Sequence, residues 1–318
     1  MEKKRYNIYS EHLKNKYGEK VYKLPVNLPG TCPNRDGNVS VDGCTFCDEE
    51  GSGFECLPND LSVKKQIEIN KAFFIKRFKA KKFIVYFQAF TNTYMPLEEF
   101  KSCIIQAVKD PDVVGVSIST RPDCAASEYL DFLAEVKQRY NISIDVELGL
   151  QTVNYHSLIK INRGHTLAEY IDAALAIKSR GFNLVTHLIL NLPYDTMTDV
   201  IENAKVVSAL QSDYVKLHSL YIVKGTALSK DYQEEKFSLI SLEEYVERVV
   251  TFVEYVSPDI VIQRIVGKGP QGNLDFCNWQ TSWWKIKEMI DQKLEEENTF
   301  QGRKCNYLDG SAVRKEFM

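Results

Sequence analysis

The chain has 318 residues, 44% of them hydrophobic and 26% charged, and a formal net charge of −3. That is the composition of an ordinary soluble globular protein, one large domain or two medium ones with a sizeable core, and the charge gives no global argument for nucleic acid binding. No apolar run approaches the ~18–20 residues of a membrane span, and the charged start Met1-Glu-Lys-Lys-Arg-Tyr6 has no apolar segment of a secretory signal behind it, so no membrane contact and a cytoplasmic location are expected.

Residues 1–20 read as a basic N-terminal arm, and the first 24 residues lean basic with Tyr6, Tyr9, Tyr17 and Tyr22 interleaved. The first predicted strand, Val21–Leu28, runs into a cysteine-bearing loop. A helix over Leu61–Phe78 follows, with Asp60 as its expected cap. Strands at Phe83–Gln88, Val113–Ser119, Ser143–Leu148, Asn183–Leu190, Tyr214–Tyr221 and Ile260–Ile265 then alternate with helical patterns. The helices are expected at Leu97–Lys109, Ala126–Tyr140, Leu167–Arg180, Met197–Leu210 and Leu242–Val256. Leu167, Ile171, Ala174, Leu175 and Lys178 share one helical stripe, expected to be buried, and Gly181 stands where that helix must stop. Ser241 with Glu244 three residues on makes a capping box. Past Gly269-Pro-Gln-Gly272 the pattern changes to Trp279, Trp283, Trp284 and the acidic run Glu295-Glu-Glu297. These tryptophans are more often packing residues than a base-stacking platform.

Alternation of strand and helix implies a parallel sheet with right-handed crossovers. About six such units fall in residues 21–265, fewer than the eight of a closed barrel. The expected fold is therefore α/β, an open three-quarter TIM-like (β/α)6 barrel over 21–268, with the arm 1–20 before it and a C-terminal extension 269–318 after it. Active residues should lie on loops after the strands.

Lys64, Lys65, Lys71, Lys76, Arg77, Lys79, Lys81 and Lys82 face Glu68 alone in the window 61–83. Such a window can meet phosphates, although a solvated helix face is the commoner use of such charge.

Three of the eight cysteines, Cys32, Cys44 and Cys47, share the Gly- and Pro-punctuated loop after the first strand. In a reducing compartment they read as metal ligands rather than disulfides. Three thiolates leave one iron of a four-iron cluster open, and an open coordination site is where chemistry can happen. Zinc competes, but a closed tetrahedral site needs a fourth Cys or His, for which Cys56 is the nearest. Cys103, Cys124, Cys277 and Cys305 are scattered and look like core thiols.

The phrase Cys32-Pro-Asn-Arg-Asp-Gly…Gly43-Cys-Thr-Phe-Cys47 resembles the cluster motif of radical S-adenosylmethionine (SAM) enzymes, in a variant with eleven residues between the first two cysteines. It resembles the YhcC/YtqA-type subgroup, which itself resembles the radical SAM half of the Elongator catalytic subunit. The likeness continues through Ser119-Thr-Arg-Pro-Asp123, Glu147-Leu-Gly-Leu-Gln-Thr152, Asn162-Arg-Gly-His-Thr166, His187-Leu-Ile-Leu-Asn-Leu-Pro193 and Val223-Lys-Gly-Thr226.

The resemblance implies a [4Fe–4S] cluster on Cys32, Cys44 and Cys47, with SAM on the open iron and a radical step that the cofactor supplies. It implies that Phe46 flanks the adenine and cluster. Gln88, Thr91 and Asn92 stand where the family often carries a Gly-Gly-Glu motif for the methionine amine, which is absent here. Gln151 would meet the ribose and Arg163 the methionine carboxylate, while Ser119 and His187 occupy strand ends where some relatives have a carboxylate. Plainer uses compete: Gln151 as a helix cap, Arg163 in an ion pair with Glu147, His187 and His218 as core histidines. The resemblance further implies a tRNA anticodon stem-loop as partner, a reductant such as flavodoxin or ferredoxin, and remodelling of a wobble uridine C5 substituent from carboxymethylaminomethyl to aminomethyl. A radical SAM enzyme for a small molecule or protein, and a zinc-stabilised RNA-binding module without catalysis, are the other readings.

Overall fold

The structure, a computed structural model, describes residues 4–48, 51, 53, 55–269 and 272–313. The turn residues Pro270 and Gln271 and the last five residues of the expected extension therefore lie outside the described residues, as do the first three of the expected arm.

In chain order, helix α1 (Tyr9–Tyr17) leads into β1 (Val21–Val26), α2 (Val63–Phe78) and β2 (Lys82–Phe87). Then come α3 (Leu97–Val108), β3 (Val113–Thr120), α4 (Ser127–Tyr140) and β4 (Ser143–Gln151). The short α5 (Tyr155–Lys160) and α6 (Leu167–Ser179) precede β5 (Asn183–Ile189), α7 (Met197–Ala209) and β6 (Tyr214–His218). β7 (Tyr221–Val223), α8 (Ala227–Gln233), α9 (Leu242–Tyr255), β8 (Val261–Arg264), β9 (Leu274–Cys277) and α10 (Trp283–Glu296) complete the chain. One seven-stranded sheet has the order β1-β2-β3-β4-β5-β6-β8, the sequential order of an α/β partial barrel, and β7 pairs antiparallel with β9.

All seven predicted strands of the sheet and all six predicted helices are present. The expected strand Tyr214–Tyr221 breaks after His218, because Leu220 N–H turns aside to donate to Asn191 Oδ1 at 2.6 Å. The expected cap Asp60 is replaced by Ser62, whose hydroxyl accepts from Lys65 N–H. The stripe expected on α6 is also wrong by about one residue of rotation. Tyr170, Ala173, Ala174 and Ile177 are buried, whereas Ile171 and Leu175 face solvent.

The chain forms two compact units. One comprises Ser10–Leu150 with Ile161–Val185 and holds β1 to β4. β1/β2, β2/β3 and β3/β4 pair in parallel, with Val21 beside Lys82 and Ser119 beside Glu147. Leu24, Val26, Phe83, Val85, Phe87, Val116, Ile118, Ile144, Val146 and Leu148 fill one face, on which α2 and α3 pack. Each buried Leu, Ile or Phe contributes about 1.5–3 kcal/mol. The other face is mixed, with Lys23, Ser117, Ser119, Asp145 and Glu147 beside Pro25, Ile84 and Gly115, unlike the apolar interior of a closed barrel. Lys23 Nζ lies 2.5 Å from Glu147 Oε1 and 3.1 Å from Ser117 Oγ, over the Tyr86 ring.

The second unit comprises Met1–Tyr9, Gln151–Lys160 and Thr186–Met318. Its core is α9, whose Val246, Val249, Phe252 and Val253 are buried between α7 and α10. Buried Arg248 donates to the carbonyls of Leu190 and Asp195, pinning the loop between β5 and α7.

Candidate active site

The cysteine loop folds on itself before it meets anything else. Arg35 N–H donates to Cys32 O at 2.8 Å, Val39 N–H to Pro33 O at 2.7 Å, Gly43 N–H to Asn34 O at 2.7 Å, and Cys47 N–H to Cys44 O at 2.9 Å. Gly43 adopts φ +72°, which a side chain would resist, and so turns the chain into the Cys44–Cys47 step. The segment after α5 then grips the loop. Asn162 Nδ2 donates to Gly43 O at 2.7 Å, Asn34 Nδ2 to Asn162 O at 2.6 Å, and Thr45 N–H to Ile161 O at 3.0 Å.

Each cysteine sulfur faces a guanidinium. Arg163 Nη1 lies 3.4 Å from Cys44 Sγ, Arg35 Nη1 3.7 Å from Cys47 Sγ, and Arg121 Nη1 4.0 Å from Cys32 Sγ. Asn34 Nδ2 adds a contact of 3.6 Å to Cys44 Sγ. Burial pushes the Cys47 thiol up to about 12, the Cys44 sulfur adds to this, and Arg35 opposes it. Without a bound cation that thiol stays protonated, so ligation must expel its proton.

Of the other expected residues, Phe46 is half-buried inside the turn from Cys44 to Cys47. Gln88, Thr91 and Asn92 lie after β2, joined to the cysteine loop where Phe90 N–H donates to Gly51 O. Asn92 Nδ2 donates to the carbonyls of Phe87, Ala89 and Ser119, which fixes its amide orientation. Its Oδ1 is left buried with no hydrogen-bond partner among the described residues. Ser119 Oγ donates to Tyr86 Oη at 3.1 Å. Arg163 spends Nε and Nη2 on Gly149 O, and Glu147 pairs with Lys23. Gln151 and His187 belong to the second unit. Gln151 closes β4 at φ 74°, a strained conformation of the kind found at functional sites, and His187 stacks on His218 with centroids 5.2 Å apart.

Asn34, Arg35, Arg121 and Asn162 are functional candidates that the spacing argument did not single out. Their trace was in the motifs themselves, since all four lie inside the quoted phrases.

The donor set fits an iron–sulfur cluster. Three soft thiols share one loop, and cations stand ready to balance thiolates and sulfide. Among the described residues no group of three or more His, Cys, Asp or Glu side chains is placed to hold a metal ion.

A model of the radical SAM superfamily matches residues 26–207, and a Radical_SAM C-terminal domain model matches residues 212–296. YtqA of Bacillus subtilis is 35% identical over 300 residues, covering 94% of this chain and 92% of its own. YhcC of Escherichia coli is 32% identical over 290 residues, covering 91% and 92%. The solved structure of Elp3 from the archaeon Methanocaldococcus infernus superposes with a TM-score of 0.65 at 17% identity, covering 88% of this chain and 64% of that one. At that identity the likeness is one of fold, the partial TIM-like barrel. No described helix is long and apolar enough to cross a membrane.

Proposed function

The chain belongs to the radical SAM superfamily, and from that premise we propose that it holds one [4Fe–4S] cluster on Cys32, Cys44 and Cys47 and modifies the C5 substituent of a tRNA wobble uridine. The observation that carries the cluster assignment is the loop in which three thiols each face their own guanidinium. Bound there, the cluster with SAM would supply radical chemistry that begins with abstraction of a substrate hydrogen.

The chain's own residues have three tasks. The cysteines give up their protons and ligate. Asn34, Asn162 and Thr45 tie the cysteine loop to the segment after α5. Asn92 offers its unpartnered Oδ1 to an ammonium donor such as the methionine amine, the place that a carboxylate fills in many relatives. Phe46, half-buried beside two ligands, excludes water and offers a face to an adenine.

The substrate reading rests on similarity to the YtqA and YhcC proteins and on the Elp3-like fold. Abstracting hydrogen from an unactivated C–H next to nitrogen is a step that needs a radical. A reductant of the flavodoxin or ferredoxin class would deliver the electron. The test is anaerobic turnover with SAM, a reductant and tRNA bearing carboxymethylaminomethyluridine, followed by nucleoside mass analysis. Formation of aminomethyluridine is expected. Abundant 5′-deoxyadenosine with an unchanged nucleoside would refute the tRNA assignment and leave the radical chemistry.

A further inference from the structure

Arg121 is among the largest side chains buried in the chain, 2% exposed, and it lies at the crossing of three site segments. Its Nε and Nη2 form a bidentate pair with Asp123 at 2.8 and 2.7 Å. The remaining Nη1 donates to Arg163 O at 2.9 Å and points at Cys32 Sγ, 4.0 Å away. The pair is therefore a dipole whose positive end faces the cysteine loop.

Arg35 is built the same way from the loop itself. Its Cζ lies 5.8 Å from the centroid of the Phe90 ring. A Cβ at Gly43 would come within 3.2 Å of its Cγ, so the glycine leaves room for the side chain to pass. Nη1 donates to Asp48 O and lies 3.7 Å from Cys47 Sγ. Neither residue reaches the loop by accident of surface flexibility, since each is held on several sides.

Resting on the cluster assignment above, we propose that Arg121 and Arg35 are positioning residues that raise the reduction potential of the cluster. An iron–sulfur centre with three thiolates gains a further negative charge on reduction. A fixed guanidinium near its sulfurs stabilises the reduced form more than the oxidised one. Arginine is suited to this because it stays charged when buried and can bond a carboxylate or carbonyl while presenting another N–H to sulfur. The two residues act on different ligands, so their effects on the potential should be similar in sign and separable.

The test is a redox titration of the reconstituted protein, followed by the visible and electron paramagnetic resonance spectra of the cluster rather than by turnover. Arg35→Gln and Arg121→Gln are expected to keep bound iron and sulfide and to lower the reduced-to-oxidised ratio at a fixed potential by about tenfold, 59 mV for one electron. Arg35→Lys and Arg121→Lys, which keep the charge, should recover most of that loss. Because Arg121→Gln strands the Asp123 carboxylate and can cost folding, Arg35→Gln in the half-buried loop carries the test independently. Potentials unchanged in the glutamine variants, or a loss that lysine does not recover, would overturn the proposal. A wild-type protein that takes up no iron and sulfide would overturn the cluster assignment first and this inference with it, an outcome distinct from a cluster whose potential ignores both arginines.

Discussion

Gly164 sits at φ +78°, and a Cβ there would collide with Asn34 Oδ1 and meet Val39 Cγ1 at 2.8 Å and Arg121 Nη2 at 3.1 Å. Val39 is exposed and can yield, but Asn34 and Arg121 are buried and cannot move without loosening the cysteine loop. Gly164→Ala is therefore expected to cost about 1–3 kcal/mol and to lower iron content, read by urea unfolding and by iron per chain. Wild-type stability and full iron content in that variant would show that the loop tolerates displacement. Residues of this kind were only half legible. The three cysteines stand out because thiolate chemistry depends on spacing along one loop. Arg121 lies 89 positions from Cys32, and nothing in its own neighbourhood says which of its nitrogens faces sulfur. Asn92 was legible as an oxygen acceptor, but not which way its amide is turned, since that depends on three carbonyls surrounding its other end.

Helix α6 begins at Thr166, whose hydroxyl accepts from Ala168 N–H while Glu169 accepts from Thr166 N–H at 2.8 Å. Thr166→Ala should cost about 1 kcal/mol of unfolding free energy by losing this cap. An unaffected denaturation midpoint would show that the chain before α6 is held by the loop contacts alone. In the loop between β5 and α7, burial raises the Asp195 carboxyl to about 6, partly opposed by the hydroxyl of Ser157 at 2.5 Å. A carboxyl raised on folding favours the folded state while protonated. Its contribution is present below about pH 4 and is lost as the pH rises through about 6. Relative to Asp195→Asn, the wild type should therefore lose up to about 3 kcal/mol between those limits, measured by urea unfolding at each pH. A difference between the two proteins that ignores pH would contradict this. The long helices were readable from apolar periodicity. α1 was not, because it buries only Leu13 among nine residues. The β7–β9 pair was missed for another reason: its strands of three and four residues are too short to show alternation.

Across the molecule, strand–helix alternation was enough to read the parallel order of the sheet, because a parallel connection must cross over. Placement of charge along an element was not so readable. Within the window 61–83, Lys71 pairs with Asp110 and Asp112, Lys81 with Glu19, and Lys82 donates to Tyr17 O. The register Val21 beside Lys82 puts the end of α2 at the start of β1, whereas the cysteine loop leaves the opposite end of that strand. Lys76, Arg77 and Lys79 thus lie about 20 Å from the site along the sheet, and Lys64 and Lys65, at the start of α2, are the exposed cations at the near end. If tRNA is the substrate, reversing the charge of Lys64 and Lys65 should weaken its binding and reduce the salt slope by about 1 for each phosphate no longer neutralised. Reversal of Lys76, Arg77 and Lys79 should leave the affinity within about twofold. A larger loss from the far group would place the RNA on the other end of the sheet.

The proposed function stands or falls on chemistry at the three cysteines, and one measurement addresses it directly. The protein is reconstituted anaerobically with iron and sulfide, reduced with dithionite, supplied with SAM and assayed by chromatography for 5′-deoxyadenosine. The expected result is a nucleoside product from the wild type and none from Cys44→Ala, which should stay folded because the substitution removes one sulfur and leaves the loop's backbone hydrogen bonds in place. A fully loaded cluster that never cleaves SAM, or a Cys44→Ala variant that still assembles its cluster and cleaves SAM, would contradict the assignment.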